Sequence, residues 1–207
     1  MRCGTDWVRY NAGVRLFIAI ELDESHRTAI TRWQDGVRPR CDGVRWIPLV
    51  QLHLTVKFLG DVRDQDVLDL SHAIRRASTV SGPFELRVSG CGCFPPRGAV
   101  RIVWVGAKEE SGVLRRLVEA VEDECESAGF PREAKPFSPH ITIGRVRDDR
   151  SGGKLRAIVE AGSLPERVQS VKMLSLMESV LAPKGPTYTS IGRFALGVAD
   201  EGNGKDV

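Results

Sequence analysis

His53-Leu54-Thr55-Val56 and, 87 residues further on (140 − 53), His140-Ile141-Thr142-Ile143 are two copies of one short pattern. Each sets a histidine and a threonine two residues apart among aliphatic residues that favour a strand. Successive side chains on a strand point to opposite faces. His53, Thr55 and Lys57 are therefore expected on one face and Leu54, Val56 and Phe58 on the other, with His140 and Thr142 likewise opposite Ile141 and Ile143. The aliphatic face packs on a core and leaves the polar face as a surface or a cleft wall. One such copy says little, because threonine is common in strands and a lone histidine is usually structural. Two copies in a chain with only four histidines say more. If the strands lie side by side, two imidazoles and two hydroxyls converge. Imidazole titrates nearest neutrality, so a pair can serve as acid and base, and a neighbouring hydroxyl can donate to a phosphate oxygen.

The chain around these copies reads as an ordinary globular protein. It has 207 residues, 42% of them hydrophobic and 28% charged, enough for one domain or two closely packed halves. No apolar run approaches the roughly 20 residues needed to span a bilayer. Residues 1–12 lack the apolar stretch of a secretory signal, so a cytoplasmic protein is expected. Five cysteines (Cys3, Cys41, Cys91, Cys93 and Cys125) at irregular spacing argue against a disulfide framework. Cys91-Gly92-Cys93 resembles half a metal clamp, but no second pair follows at finger spacing. A net charge of +3 does not by itself demand nucleic acid, although 23 of the 30 basic residues are arginine, the side chain suited to bidentate phosphate contacts.

Periodicity and breakers predict strands over residues 14–22, 44–48, 53–59, 83–93, 100–105, 139–146, 166–179 and 188–196. Helices are expected over 23–37, 64–77, 111–128 and 154–161, with Gly60-Asp61 ending the first motif strand and Gly129 closing the third helix. Residues 1–13 read as an extension, 14–197 as the folded domain and 198–207 as a flexible tail. Strands and helices alternate with an approximate duplication, one histidine motif per half. The expected product is an α+β fold of two related lobes, with the polar faces of the motif strands in the cleft between them.

The ordered set of segments carries a resemblance. Residues 16–21 (LFIAIE), 44–61 (VRWIPLVQLHLTVKFLGD), 90–95, 136–147 (PFSPHITIGRVR) and 177–196 together resemble the two-histidine phosphoesterase superfamily, and within it the RNA 2′,3′-cyclic phosphodiesterases, historically called 2′-5′ RNA ligases. The likeness spans residues 14–197. It implies two pseudo-symmetric lobes of antiparallel sheet, with outer helices, flanking a central cleft. It implies that a terminal 2′,3′-cyclic phosphate of RNA is opened by water to a 2′-phosphomonoester without metal or other cofactor. By the same resemblance His53 is the proton donor to the leaving 3′ oxygen, His140 the acceptor that activates water, and Thr55 and Thr142 hold the phosphate. The partners it implies are RNA 3′ ends, tRNA fragments among them, met by a monomer away from membranes.

Arg145 is a further phosphate-binding candidate by that resemblance. Strict alternation puts it on the Ile141 side, and a strand end or bulge at Gly144 is needed to turn it back. Phe58 is its counterpart in the first half, suited to the core or to a nucleotide pocket. His26 and His72 lie on expected helices and read as exposed, Trp46 as core, and Ser138 as a turn residue. Tyr188 and the Lys184-Gly185 turn suit RNA contact or a plain strand connection equally. Three other activities share the same residues: 2′-5′ ligation as the back reaction, binding of RNA ends without turnover, and hydrolysis of a small cyclic nucleotide.

Overall fold

The structure, a computed structural model, describes residues 13–150, 153–162, 164–182 and 185–198. The expected N-terminal extension and C-terminal tail lie almost wholly outside them. The described chain runs β1 (Val14–Glu21), α1 (Glu24–Val37), β2 (Val44–Trp46), β3 (His53–Val62), α2 (Val67–Ser78), β4 (Phe84–Phe94), β5 (Ile102–Lys108), α3 (Val113–Ser127), β6 (His140–Val146), α4 (Leu155–Ala161), β7 (Arg167–Val171), β8 (Met173–Val180) and β9 (Thr187–Ala195). No helix among the described residues is long and apolar enough to cross a membrane.

The strands form one antiparallel path, β7-β4-β5-β6-β3-β1-β8-β9, with β2 added to β6. The two motif strands, β6 and β3, are its central neighbours. They touch through one ladder pair, Leu54 with Ile141, beyond which β2 takes over the edge of β6 at Trp46 and Gly144. Each lobe is thus a four-stranded half, β3-β1-β8-β9 or β6-β5-β4-β7. The lobes are not successive halves of the sequence, since the first is completed by the last two strands.

The crossing between lobes explains one departure from expectation. Residues 166–179 read as a single strand but form two, because β7 pairs with β4 in the second lobe while β8 pairs with β1 in the first. Consecutive exposed residues at Lys172 and Met173 break the alternation where the chain turns. A second departure is the end of β3. It runs through Gly60 to Val62, with a register shift that sets Phe17 opposite Phe58 but Leu16 opposite Gly60. A bulge at Leu59 carries the strand past the glycine that was expected to stop it.

Helices cover one side of each half. In α3 the residues Leu114, Leu117, Val118, Val121 and Cys125 recur at helical spacing and are all buried. Each such aliphatic side chain contributes about 1.5–3 kcal/mol by leaving water. Arg76 Nε on α2 meets Glu124 Oε2 on α3 at 2.7 Å, and Arg75 of α2 lies over the Phe194 ring of β9. On the second lobe the buried Gln34 of α1 donates through Nε2 to the carbonyls of Ile47 (3.0 Å) and Ile143 (2.9 Å). Trp33 of α1 crosses Trp46 edge-on at 6.2 Å, and Trp46 is in the core as expected.

Asp23 caps α1, its Oδ1 accepting from the His26 N–H at 2.9 Å. The same oxygen is 2.6 Å from His26 Nδ1, and His26 is buried rather than exposed. It sits on the inner face of α1, and the cap makes its burial tolerable by giving the ring a polar partner. His72 is exposed, as expected.

Candidate active site

His53 and His140 are the first residues of β3 and β6. Each ring is held alike: Nδ1 lies 2.8 Å from the Gln51 carbonyl in His53 and 2.7 Å from the Ser138 carbonyl in His140. A carbonyl oxygen only accepts, so each Nδ1 carries the proton and each neutral ring keeps its lone pair on Nε2. The backbone two residues before each histidine therefore sets its tautomer. Ser138 acts here through its carbonyl, a role that its side-chain type could not signal.

The shared pair between Leu54 and Ile141 sets the rest. Extending that antiparallel register one residue each way puts His53 across from Thr142 and His140 across from Thr55. Directly opposite residues in such ladders have Cα atoms about 4.5–5.5 Å apart. Both histidines and both threonines thus fall on one face at the junction of the lobes.

Both motif strands also carry a bulge at the same place. In β3, Ala19 pairs with Thr55 but Ile18 with Lys57, so Val56 is skipped. In β6, Trp104 pairs with Thr142 but Val103 with Gly144, so Ile143 is skipped. The bulge shifts the alternation by one residue. Phe58 and Arg145 consequently join the histidine face and are exposed, Phe58 at 60%. Lys57 does not, contrary to strict alternation. It is turned into the core at 1% exposure, where its Nζ meets Glu122 Oε2 at 2.5 Å and the Pro131 carbonyl at 2.8 Å.

The two imidazoles differ in their surroundings. His53 packs in a three-ring cluster with Phe17 (4.8 Å between centroids) and the edge-on Tyr188 ring (5.3 Å), which themselves meet at 5.1 Å. Burial lowers its pKa from 6.5 to about 4. The Gln51 hydrogen bond and Glu21 oppose that shift, and Arg145 and Arg27 add to it. Arg145 therefore lies within electrostatic reach of the histidine in the other lobe. His140 is half-buried and meets Phe94 edge-on at 5.1 Å. The indole of Trp104, opposite Thr142, lies over Gly92 of β4, where a Cβ would collide with the ring.

A cavity of about 1290 Å³ is lined by residues of β3, β5, α3 and the segment before β6, Lys57, Leu114, Glu122 and Phe137 among them, and reaches the histidine face at Thr55 and His140 but not at His53 or Thr142. Sequence reasoning did not single out Phe17, Phe94 or Glu21, which carry no motif of their own. Tyr188 belongs to β9 rather than to a connection, and Lys184 lies outside the described residues. Burial pushes the Cys91 thiol to about 12 and the Cys93 thiol to about 11, so neither is a ready thiolate. Among the described residues no three His, Cys, Asp or Glu side chains cluster as metal ligands.

Residues 22–180, which include both motifs, match the family model described as the 2′-5′ RNA ligase superfamily. The chain belongs to that superfamily. A relative from Methanothermobacter thermautotrophicus, named an RNA 2′,3′-cyclic phosphodiesterase, is 34% identical over 189 residues, covering 88% of this chain and 99% of its own. Among solved structures, a Thermus thermophilus protein matches with a TM-score of 0.73 at 32% identity, over 88% of this chain and 98% of the other. The LigT protein of E. coli, in complex with 3′-AMP, matches with a TM-score of 0.71 at 28% identity, over 89% and 98%. Superfamily membership agrees with the α+β architecture of paired antiparallel lobes.

Proposed function

We propose that this protein hydrolyses RNA 2′,3′-cyclic phosphate ends to 2′-phosphomonoesters by paired-histidine catalysis without a metal ion. The carrying observation is the Leu54–Ile141 pair that joins the two motif strands beside both histidines, with both Nδ1 atoms tied to backbone carbonyls. The names of the relatives point to the same activity. In-line displacement at phosphorus needs a base behind the attacking water, an acid at the leaving oxygen, and donors to the charge that develops between them. His140 Nε2 takes a proton from water as its oxygen attacks phosphorus. His53 Nε2 gives a proton to the 3′ oxygen as the P–O3′ bond breaks. Thr55, Thr142 and Arg145 hold the phosphate oxygens.

Free His53 is neutral at pH 7 with a pKa of about 4. Its acid role therefore rests on the substrate, whose phosphate anion favours the imidazolium beside it. The back reaction, in which a 5′-hydroxyl end replaces water, is 2′-5′ ligation through the same groups.

The test is to incubate an oligoribonucleotide ending in a 2′,3′-cyclic phosphate with the protein in EDTA and to resolve the 2′- and 3′-phosphate products. Conversion to the 2′-phosphate supports the reading. RNA bound but unopened would replace it with an end-binding protein.

A further inference from the structure

Glu21 and Gly106 occupy matching places in the two lobes. Glu21 pairs with His53 on the β1–β3 ladder, and Gly106 pairs with His140 on the β5–β6 ladder. The internal symmetry thus breaks directly beside each histidine, with a carboxylate in one lobe and no side chain in the other. The glycine is built in, because a Cβ at position 106 would come within 2.8 Å of the Ser89 carbonyl oxygen. Glu21 is held from three elements. The Ser175 hydroxyl of β8 donates to Oε1 at 2.6 Å, Arg193 Nε of β9 lies 3.3 Å from the same oxygen, and Arg27 Nη2 of α1 lies 3.7 Å from Oε2. The charged groups acting on His53 are Glu21 from β1, Arg27 from α1 and Arg145 from β6. Arg193 reaches the site through Glu21, and Tyr188 offers His53 its ring. Glu21 is the one carboxylate in that set.

We infer that Glu21 is the positioning residue that makes His53, rather than His140, the proton donor. The inference rests on the reaction proposed above and deepens it. Without Glu21 the His53 ring faces only arginine charge, and a bound phosphate must be shared with Arg145. With it, an imidazolium beside the leaving oxygen keeps a fixed opposite charge. His53 then protonates the 3′ oxygen as P–O3′ breaks, His140 keeps the proton from the water that formed the new P–O bond, and the two histidines reset through solvent. The ester oxygen beside His53 is always the one released, which fixes the 2′-phosphate as product.

The test compares wild type with Glu21→Gln on the ordinary cyclic phosphate and on an analogue with sulfur at the 3′ bridging position, whose thiolate leaves without a proton. The variant is expected to lose several-fold on the oxygen substrate and little on the sulfur one, since Glu21 is one charge among several around His53 and its own oxygens are shared with Ser175, Arg193 and Arg27. The alkaline limb of its kcat profile should move to lower pH, and Glu21→Asp should restore part of the rate. An NMR titration of His53 in the 2′-phosphate product complex provides a second readout, with a lower pKa in Glu21→Gln. Equal losses on both substrates with an unchanged His53 pKa would overturn the inference. A wild-type protein that opens neither substrate would instead overturn the reaction itself, and this assignment with it.

Discussion

Lys57 and Glu122 form an ion pair in the core, Nζ to Oε2 at 2.5 Å, with Lys57 1% exposed and the Glu122 side chain 11%. Lys57 follows the bulge in the first motif strand, so the pair ties that bulge to α3 on the outer layer. Nζ also donates to the Pro131 carbonyl, and Glu122 accepts from the Glu133 N–H. The pair thereby anchors the segment behind the cleft as well.

Removing one partner of such a pair leaves a charge in the core without its counter-ion, which typically costs about 3–5 kcal/mol. Lys57→Met and Glu122→Leu should each lower the unfolding free energy by that order, seen as a lower denaturant midpoint. The double variant should recover much of the loss, because two apolar side chains can replace a buried pair at little cost. Urea unfolding of the three variants checks this. Single variants as mild as surface substitutions would show that the pair is not buried in solution.

His53 couples stability to pH. Its folded pKa is lowered to about 4 from 6.5, so between those values the unfolded chain binds the proton and the folded chain does not. The stability this contributes is complete above about pH 6.5 and is lost as the pH falls toward 4, up to about 3 kcal/mol. His53→Gln should flatten that slope in pH-dependent unfolding. A phosphate-bearing product should act in the opposite direction, raising the His53 pKa in an NMR titration. A ring that stays neutral at pH 6 with product bound would transfer the acid role to His140.

The legible part of this protein was its alternation. Runs such as Val14–Glu21 and the apolar stripe of α3 fixed their own elements because burial demands those periods. The pairing of the motif strands was legible too, since only adjacency brings their polar faces together. The bulges were half legible. Gly144 hinted at one, and the structure adds that Val44 and Trp46 crowd the place a side chain would take. Nothing local marked the matching bulge at Val56, which puts Lys57 inside and Phe58 outside. The two-lobe exchange at Lys172 and the burial of His26 were hidden because they depend on partners far away in the sequence, or on the helix face that tertiary packing selects.

The four motif side chains should separate by role. His53→Ala and His140→Ala should each reduce kcat by about 10²–10⁴-fold, the usual range for one general acid or base. Thr55→Ala and Thr142→Ala should lose about 10- to 100-fold, the worth of one hydrogen bond to a charged group. Arg145→Met should act mainly on KM and reduce its salt dependence, as the proposed charge contact with phosphate requires. Steady-state kinetics on a cyclic-phosphate oligonucleotide tests all five. A doubly substituted His53→Ala, His140→Ala protein that still turns over would end the paired-histidine mechanism.

Gly92→Ala tests the wall of the second lobe. Gly92 pairs with Trp104 on β4 and β5, and the indole occupies the place of the missing Cβ. Trp104 in turn pairs with Thr142, so a displaced indole must push on the Thr142 side chain or swing against Phe94, 5.3 Å away. Overfilling a packed site typically costs about 1–3 kcal/mol. The variant should therefore unfold at lower denaturant, change its tryptophan fluorescence, and lose activity by raising KM more than a stability defect alone explains. An unaltered emission spectrum with full activity would mean that the indole does not rest on Gly92 in solution.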